Sequence, residues 1–348
     1  MPRSELAAWL RRGVSFIAVS GLLCGCAPGA FTTQSQRIGF DNGTDSCRPQ
    51  LVALDSTGNY FGAAILQGAA IGAGTGALAG GLIGGLATGN WRGAAFGALA
   101  GGVTGGVIGG SNAYWQSLQQ QRMDQASLYS RVSLDLEREN VQIDKTQLAL
   151  DQLVDCRFRQ AQAINNDYRT HRIDRATAEA AMALVRQRAA RDLQVAQTIN
   201  QQIQDRGQQF GVATGNIDPS AAAAINARPQ AAQQPAVVRT AAPIKLRPDP
   251  GAPDIAQLQA HDQVTVSPGR NGYALVETSS GARGYVSASD LQGSGGNRSI
   301  SVATTTPIAA ASDVRTLAGS NAARRDDFAQ SVAVTEKAEA TGFELAAG

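Results

Sequence analysis

The chain has 348 residues, with 30 Lys and Arg against 28 Asp and Glu and a formal charge of +2, so it offers no basic field to attract nucleic acid. Aromatic residues make up 5%, too few for several conventional cores, and Ala, Gly and Gln dominate in their place. Only His171 and His261 are present, neither in a metal motif, and no nucleophile elbow or phosphate loop appears, so no enzyme, no cofactor and no metal are expected.

Residues 1–25 begin with a basic segment (Arg3, Arg11, Arg12) and an apolar run from Gly13 to Leu23. The run is too short to cross a bilayer and reads as a cleaved signal peptide. Leu23-Cys24-Gly25-Cys26 resembles a lipobox. The resemblance implies acylation of Cys26 and, with Ala27 next to it, delivery to the outer membrane of a Gram-negative envelope, facing the periplasm. Residues 26–59 are then a lipid-anchored linker. Cys47 and Cys156 remain. An oxidising periplasm permits a disulfide between them, and two separate thiols are the alternative. A continuous helix from Tyr114 carries Cys156 about 60 Å away, which favours the second.

Residues 60–115 contain two glycine runs of period four: Gly68, Gly72, Gly76, Gly80 and Gly84, then Gly93, Gly97, Gly101, Gly105 and Gly109. On a helix each run is a strip without side chains, which lets backbones approach as they do between membrane helices. In water each glycine costs about 0.8–1.0 kcal/mol relative to alanine, so the tract is a poor soluble helix. A flexible Gly/Ala linker is the alternative, but it has no reason to keep the phase twice. Between Asp55 and Arg122 the only charge is Arg92, in the turn-like Thr88-Gly89-Asn90-Trp91-Arg92. Residues 63–88 and 93–114 are each long enough to span about 30 Å of hydrocarbon. Tyr60, Phe61, Tyr114 and Trp115 then mark one interface and Trp91 the other. The tract resembles the bacterial glycine-zipper families, which include short lipoproteins with a two-helix Gly/Ala hairpin. The resemblance implies a close-packed transmembrane hairpin that associates with copies of itself in membrane lipid.

Residues 116–210 carry apolar positions at helical spacing: Val132, Leu136, Ile143, Leu150, Val154, Phe158, Ile164 and Tyr168. After a polar break at 165–174 a second set follows, Met182, Val185, Ala189, Ala196, Ile199 and Ile203. The pattern predicts an antiparallel helical hairpin or two arms of an oligomeric coiled coil. Residues 211–235 read as an Ala/Gln/Pro linker.

Residues 236–291 break into short β-prone runs separated by turn residues, which predicts a small barrel. Ile244-Lys245-Leu246-Arg247-Pro248, His261-Asp262-Gln263-Val264-Thr265-Val266, Asn271-Gly272-Tyr273 and Gly284-Tyr285-Val286-Ser287-Ala288-Ser289-Asp290-Leu291 resemble the bacterial SH3-like domain. The resemblance implies a surface for cell-wall or protein peptides, with Arg247, Arg283 and Tyr285 as an exposed contact patch. Tyr273 belongs either to it or to the core. Residues 292–348 read as a flexible tail with a short helix capped by Ser320 or Asn321, with Phe328 and Val332 on one face.

The expected fold is mainly α, a transmembrane glycine hairpin with helical or coiled-coil arms, plus a small all-β SH3-like barrel and disordered linkers. The expected function is a structural outer-membrane lipoprotein that links the membrane to peptidoglycan or a periplasmic protein. The rival is a homo-oligomeric pore or secretion component.

Overall fold

Two long antiparallel helices carry the structure, a computed structural model that describes residues 33–72, 111–226, 233–293 and 313–343. The chain divides into Met1–Thr33, of which only Thr33 is described, and Gln34–Gly348. In chain order the helices are α1 (Gln34–Ile38), α2 (Arg48–Gly72), α3 (Ala113–Gln120), α4 (Gln125–Arg169), α5 (Arg175–Ile217), α6 (Pro219–Asn226) and α7 (Val314–Gly342).

The paired helices are α4 and α5. Each starts on an aspartate whose side chain accepts a backbone N–H three residues on, Asp124 from Ser127 and Asp174 from Thr177. That satisfies one of the orphan donors of a first turn and stabilises each start by about 1 kcal/mol. Between them the chain reverses at His171, in the left-handed region at φ 57°. Of the apolar positions read from the sequence, Val132, Leu136, Ile143, Leu150, Val154 and Phe158 on α4 and Met182, Val185, Ala189, Ala196, Ile199 and Ile203 on α5 are buried, while Ile164 and Tyr168 near the end of α4 are half-buried.

Two further helices fill the grooves of this hairpin. α2 runs antiparallel to α4, where Gln142 Nε2 donates to the Thr57 carbonyl at 3.0 Å and Gln160 Nε2 to Ser46 Oγ at 2.6 Å. On its other side a Cβ at Gly58 would collide with Ile199 of α5. α7 runs parallel to α4, with Asn321 Nδ2 donating to Asn140 Oδ1 at 3.0 Å and Gln147 Nε2 to Ser331 Oγ at 3.1 Å. It meets α5 where Arg186 Nη1 donates to the Phe343 carbonyl. Leu51, Leu54 and Phe61 from α2, and Phe328, Val332 and Phe343 from the α7 end, complete one core.

The remaining described residues form seven strands: β1 (Gln234–Val238), β2 (Ala242–Lys245), β3 (Asp254–Leu258), β4 (Gln263–Ser267), β5 (Tyr273–Thr278), β6 (Arg283–Ser287) and β7 (Leu291–Gly293). They make one antiparallel sheet in the order β3-β2-β6-β5-β4-β1-β7, with a 3₁₀ turn at Ala288–Asp290 just before β7. Val238, Ile244, Val264, Val266, Val276 and Val286 are its core. β6 crosses β2 so closely that a Cβ at Gly284 would sit 2.6 Å from the Lys245 carbonyl oxygen.

The structure differs from the sequence reading in several places. Residues 34–59 are no linker, since α1 and the first half of α2 lie there. Inside the expected linker α5 runs on to Ile217, held by the buried Ala213 and Thr214, and α6 follows because its run of four alanines favours helix over coil. The tail holds a 29-residue helix, not a short one. It is capped by Asp313, whose carboxylate accepts the Thr316 N–H, while Ser320 and Asn321 lie buried inside it. Ala318, Ala322 and Ala338 supply much of its buried face, so its periodicity is weak in sequence.

Among the described residues no helix is long and apolar enough to cross a membrane. Gly68 and Gly72 lie in the last turns of α2. Gly76, Gly80, Gly84, Gly93, Gly97, Gly101, Gly105 and Gly109 lie outside the described residues, as do Trp91, Arg92 and Cys26. Phe61 and Tyr114, expected at a lipid interface, are instead buried in the helical body, Tyr114 against Phe210 with ring centroids 5.0 Å apart.

Candidate functional site

Cys47 and Cys156 form a disulfide with Cα atoms 5.8 Å apart. The distance argument from Tyr114 failed because it treated residues before 60 as linker. Cys47 stands just before α2, which runs antiparallel along α4, so it meets Cys156 of α4.

Next to the bond, the fully buried Arg157 ties three segments together. Its Nε donates to Asp192 Oδ2 of α5 at 2.6 Å, and its two Nη atoms reach both oxygens of Asp45 at 2.6 and 2.8 Å. Burial pulls the Asp45 carboxyl up, but the Arg157 hydrogen bonds outweigh it and hold the group below the usual carboxylate range. Burial dominates at Asp192, which is pushed up to about 6 against the pull of Arg157. A cleft of about 150 Å³ opens beside this clamp, rimmed by Phe40, Leu184 and Arg188. Arg188 donates to Thr44 Oγ1 there.

A second polar cluster joins α2 and α3, the described helices on either side of the glycine tract, to α4 and α5. Arg206 of α5 pairs with Glu139 of α4 at 3.3 Å, donates to Gln209 Oε1, and stacks over the Phe210 ring at 4.8 Å and the Tyr114 ring at 5.8 Å. The Tyr114 hydroxyl donates to Asp135 Oδ2 at 2.8 Å. Burial raises Glu139 despite Arg206, and burial followed by the Glu139 charge raises Tyr60. Tyr60 of α2 and Tyr114 of α3 therefore flank one buried ion pair.

The barrel residues singled out in the sequence are close together but are not an open patch. Tyr285 is 3% exposed and joins the core of the helical body together with Leu246 and Leu275, with Tyr273 half-buried against it. Burial pushes the Tyr285 hydroxyl up to about 12. Arg247 Nε donates to Asp155 Oδ1 of α4 at 3.3 Å, and Arg270, on the same side, meets Asp327 of α7 at 2.8 Å. Arg283 faces Glu277 within the sheet at 3.6 Å. The expected contact surface is thus covered by the chain's own helices. What the sequence did not reveal is the carboxylates opposite it, Asp155 and Asp327, which lie on helices read without a partner for the barrel.

Among the described residues no group of three or more His, Cys, Asp or Glu is arranged to hold a metal ion. Comparison with protein-family models, with curated proteins and with solved structures found no match to the chain.

Proposed function

We propose that this chain is a structural envelope lipoprotein. Lipid on Cys26 and the glycine tract hold it in the outer membrane. The helical body projects into the periplasm, associates with further copies, and carries an SH3-like barrel that meets peptidoglycan or a periplasmic protein.

The observation that carries the reading is how the body holds the two ends of the tract. α2 brings the chain to Gly68 and Gly72, α3 takes over at Ala113, and the two helices pack on each other. The described helices on either side of residues 73–110 therefore meet on one body, which is consistent with a hairpin that enters and leaves one face of a bilayer. An acyl chain plus an inserted hairpin resists extraction far better than either alone, because the second attachment acts at high effective concentration.

Support for an SH3-like barrel comes from its order of strands. A hairpin, β2–β3, lies between the first strand and a three-stranded meander, and a 3₁₀ turn precedes a last strand that pairs with the first. Since Arg247 and Tyr285 face the helices, an outside partner meets the barrel on the surface turned away from α4 and α7.

Density-gradient separation of membranes, run for the wild type and for Cys26→Ser, tests the anchor. The reading expects the wild type in the outer-membrane fraction, resistant to carbonate, and loss of that position in the variant. Recovery of the wild type in the soluble fraction overturns it.

A further inference from the structure

Three large apolar side chains on α4 face water: Leu134 is 50% exposed, Val141 48% and Leu148 58%. They are seven residues apart, so they stand above one another in a row about 21 Å long. The row lies opposite the buried stripe of Leu136, Ile143 and Leu150. A helix with one apolar stripe needs one partner, and a helix with two such stripes on opposite sides needs two. The bundle supplies the first.

Charge borders the row unequally. On one edge, three residues before each apolar position, stand Arg131, Arg138 and Lys145, all exposed. On the other edge, three residues after Leu134 and Val141, stand Glu137 and Asp144, also exposed. Within the chain Arg131 and Arg138 share one carboxylate, Asp135, at 3.0 and 3.7 Å, so the basic edge keeps a positive excess. Asp144 meets Arg324 of α7 at 2.8 Å, and Glu137 keeps the opposite edge acidic.

We propose that this row is the seam of a parallel homodimer, in which Leu134, Val141 and Leu148 of one chain meet the same residues of a second copy. Orientation follows from the edges. A twofold axis parallel to α4 sets the basic edge of each copy against the acidic edge of the other. A twofold axis perpendicular to the helices sets basic against basic, which repels along the whole seam. The parallel pairing also brings both glycine tracts to the same end of the dimer, as insertion into one membrane requires; that second argument rests on the membrane-anchored reading above, and the charge argument does not.

The test uses the full chain in detergent with single substitutions Leu134→Cys, Val141→Cys and Leu148→Cys, oxidised mildly and read as covalent dimer on a non-reducing gel. Ala190→Cys, exposed on α5, measures random collision, and the unsubstituted chain measures any link through Cys24 or Cys26. The proposal expects each of the three variants alone to give several-fold more dimer than Ala190→Cys. Yields no higher than Ala190→Cys overturn it. So does an antiparallel pattern, in which Leu134→Cys alone fails but a mixture with Leu148→Cys links. Light scattering separates this seam from the wider reading. A stable oligomer without α4 links overturns the seam and leaves association through the glycine tract standing, whereas a monomer overturns both.

Discussion

Cys47 and Cys156 are bonded across 109 positions of sequence, and the loop they close contains the entire glycine tract. The bond therefore pins the start of α2 to α4, while Tyr60 and Tyr114 join α2 and α3 around one ion pair further along. In the chain-entropy picture a loop of about 100 residues gains up to about 4.7 kcal/mol from such a bond, with 2–4 kcal/mol typical. Reduction, or Cys47→Ser with Cys156→Ser, is expected to lower the melting temperature of the body by several degrees. Calorimetry with and without reductant measures it; an unchanged transition would show that α2 is held by packing alone.

Arg157 gives a sharper expectation. Removing one partner of a buried ion pair leaves the other uncompensated, at a cost of about 3–5 kcal/mol. Arg157→Ala strands Asp45 and Asp192 together, whereas Asp192→Asn keeps a hydrogen-bond acceptor for Nε and costs less. Denaturant midpoints should fall further for Arg157→Ala than for Asp192→Asn, and the reverse order would mean that the Asp192 carboxylate, not the shared guanidinium, carries the clamp.

Most of the helical architecture was legible because its apolar positions recur at 3.6-residue spacing over long stretches, and every α4 and α5 residue from Val132 to Phe158 and from Met182 to Ile203 in those sets is buried or lines the core. The register was also present in the sequence, though in the residues that break the pattern. Glu139 and Arg157 occupy core-facing positions on α4, Asp192 and Arg206 do so on α5, and opposite charges pair only when the helices run antiparallel about the turn near His171. α7 was not legible, since a face built of alanine has little contrast with its other faces. The docking of the barrel was not legible either, because a buried tyrosine and an exposed one look alike in a single sequence.

Stability should decline from mildly acidic to mildly basic pH. Burial, helped by the Asp192 charge, pushes Glu339 up to about 8, and burial pushes Asp192 and Asp151 up to about 6. A carboxyl whose folded value exceeds its unfolded value binds more protons when folded, so its contribution is full below the unfolded value and is lost as pH rises through the folded one. For Glu339 that window runs from about 4.5 to about 8. Asp45, held low, works in the opposite direction but only at acid pH. Glu339→Gln should raise the melting temperature at pH 8 by about 2–4 °C per kcal/mol recovered and flatten the profile. A wild-type profile rising between pH 5 and 8 would contradict this.

Docking of the barrel rests on burial more than on charge. Tyr285→Ala opens a cavity between β6 and α7 and should cost about 3–5 kcal/mol by analogy with other buried aromatics. Arg247→Ala removes a half-buried pair with Asp155 and should cost about 1 kcal/mol or less. Hydrogen exchange in β5 and β6 distinguishes them: Tyr285→Ala should speed it markedly and Arg247→Ala slightly. Equal effects would mean that the ion pair, not the apolar contact, holds the sheet.

The central claim is that a membrane-held body reaches the cell wall or a partner attached to it. The most direct measurement is co-sedimentation of the full chain with sacculi isolated from cells after in situ amine cross-linking and boiling in detergent. The account predicts that the wild type stays with the sacculi. Release of the wild type into the detergent supernatant would contradict the tether.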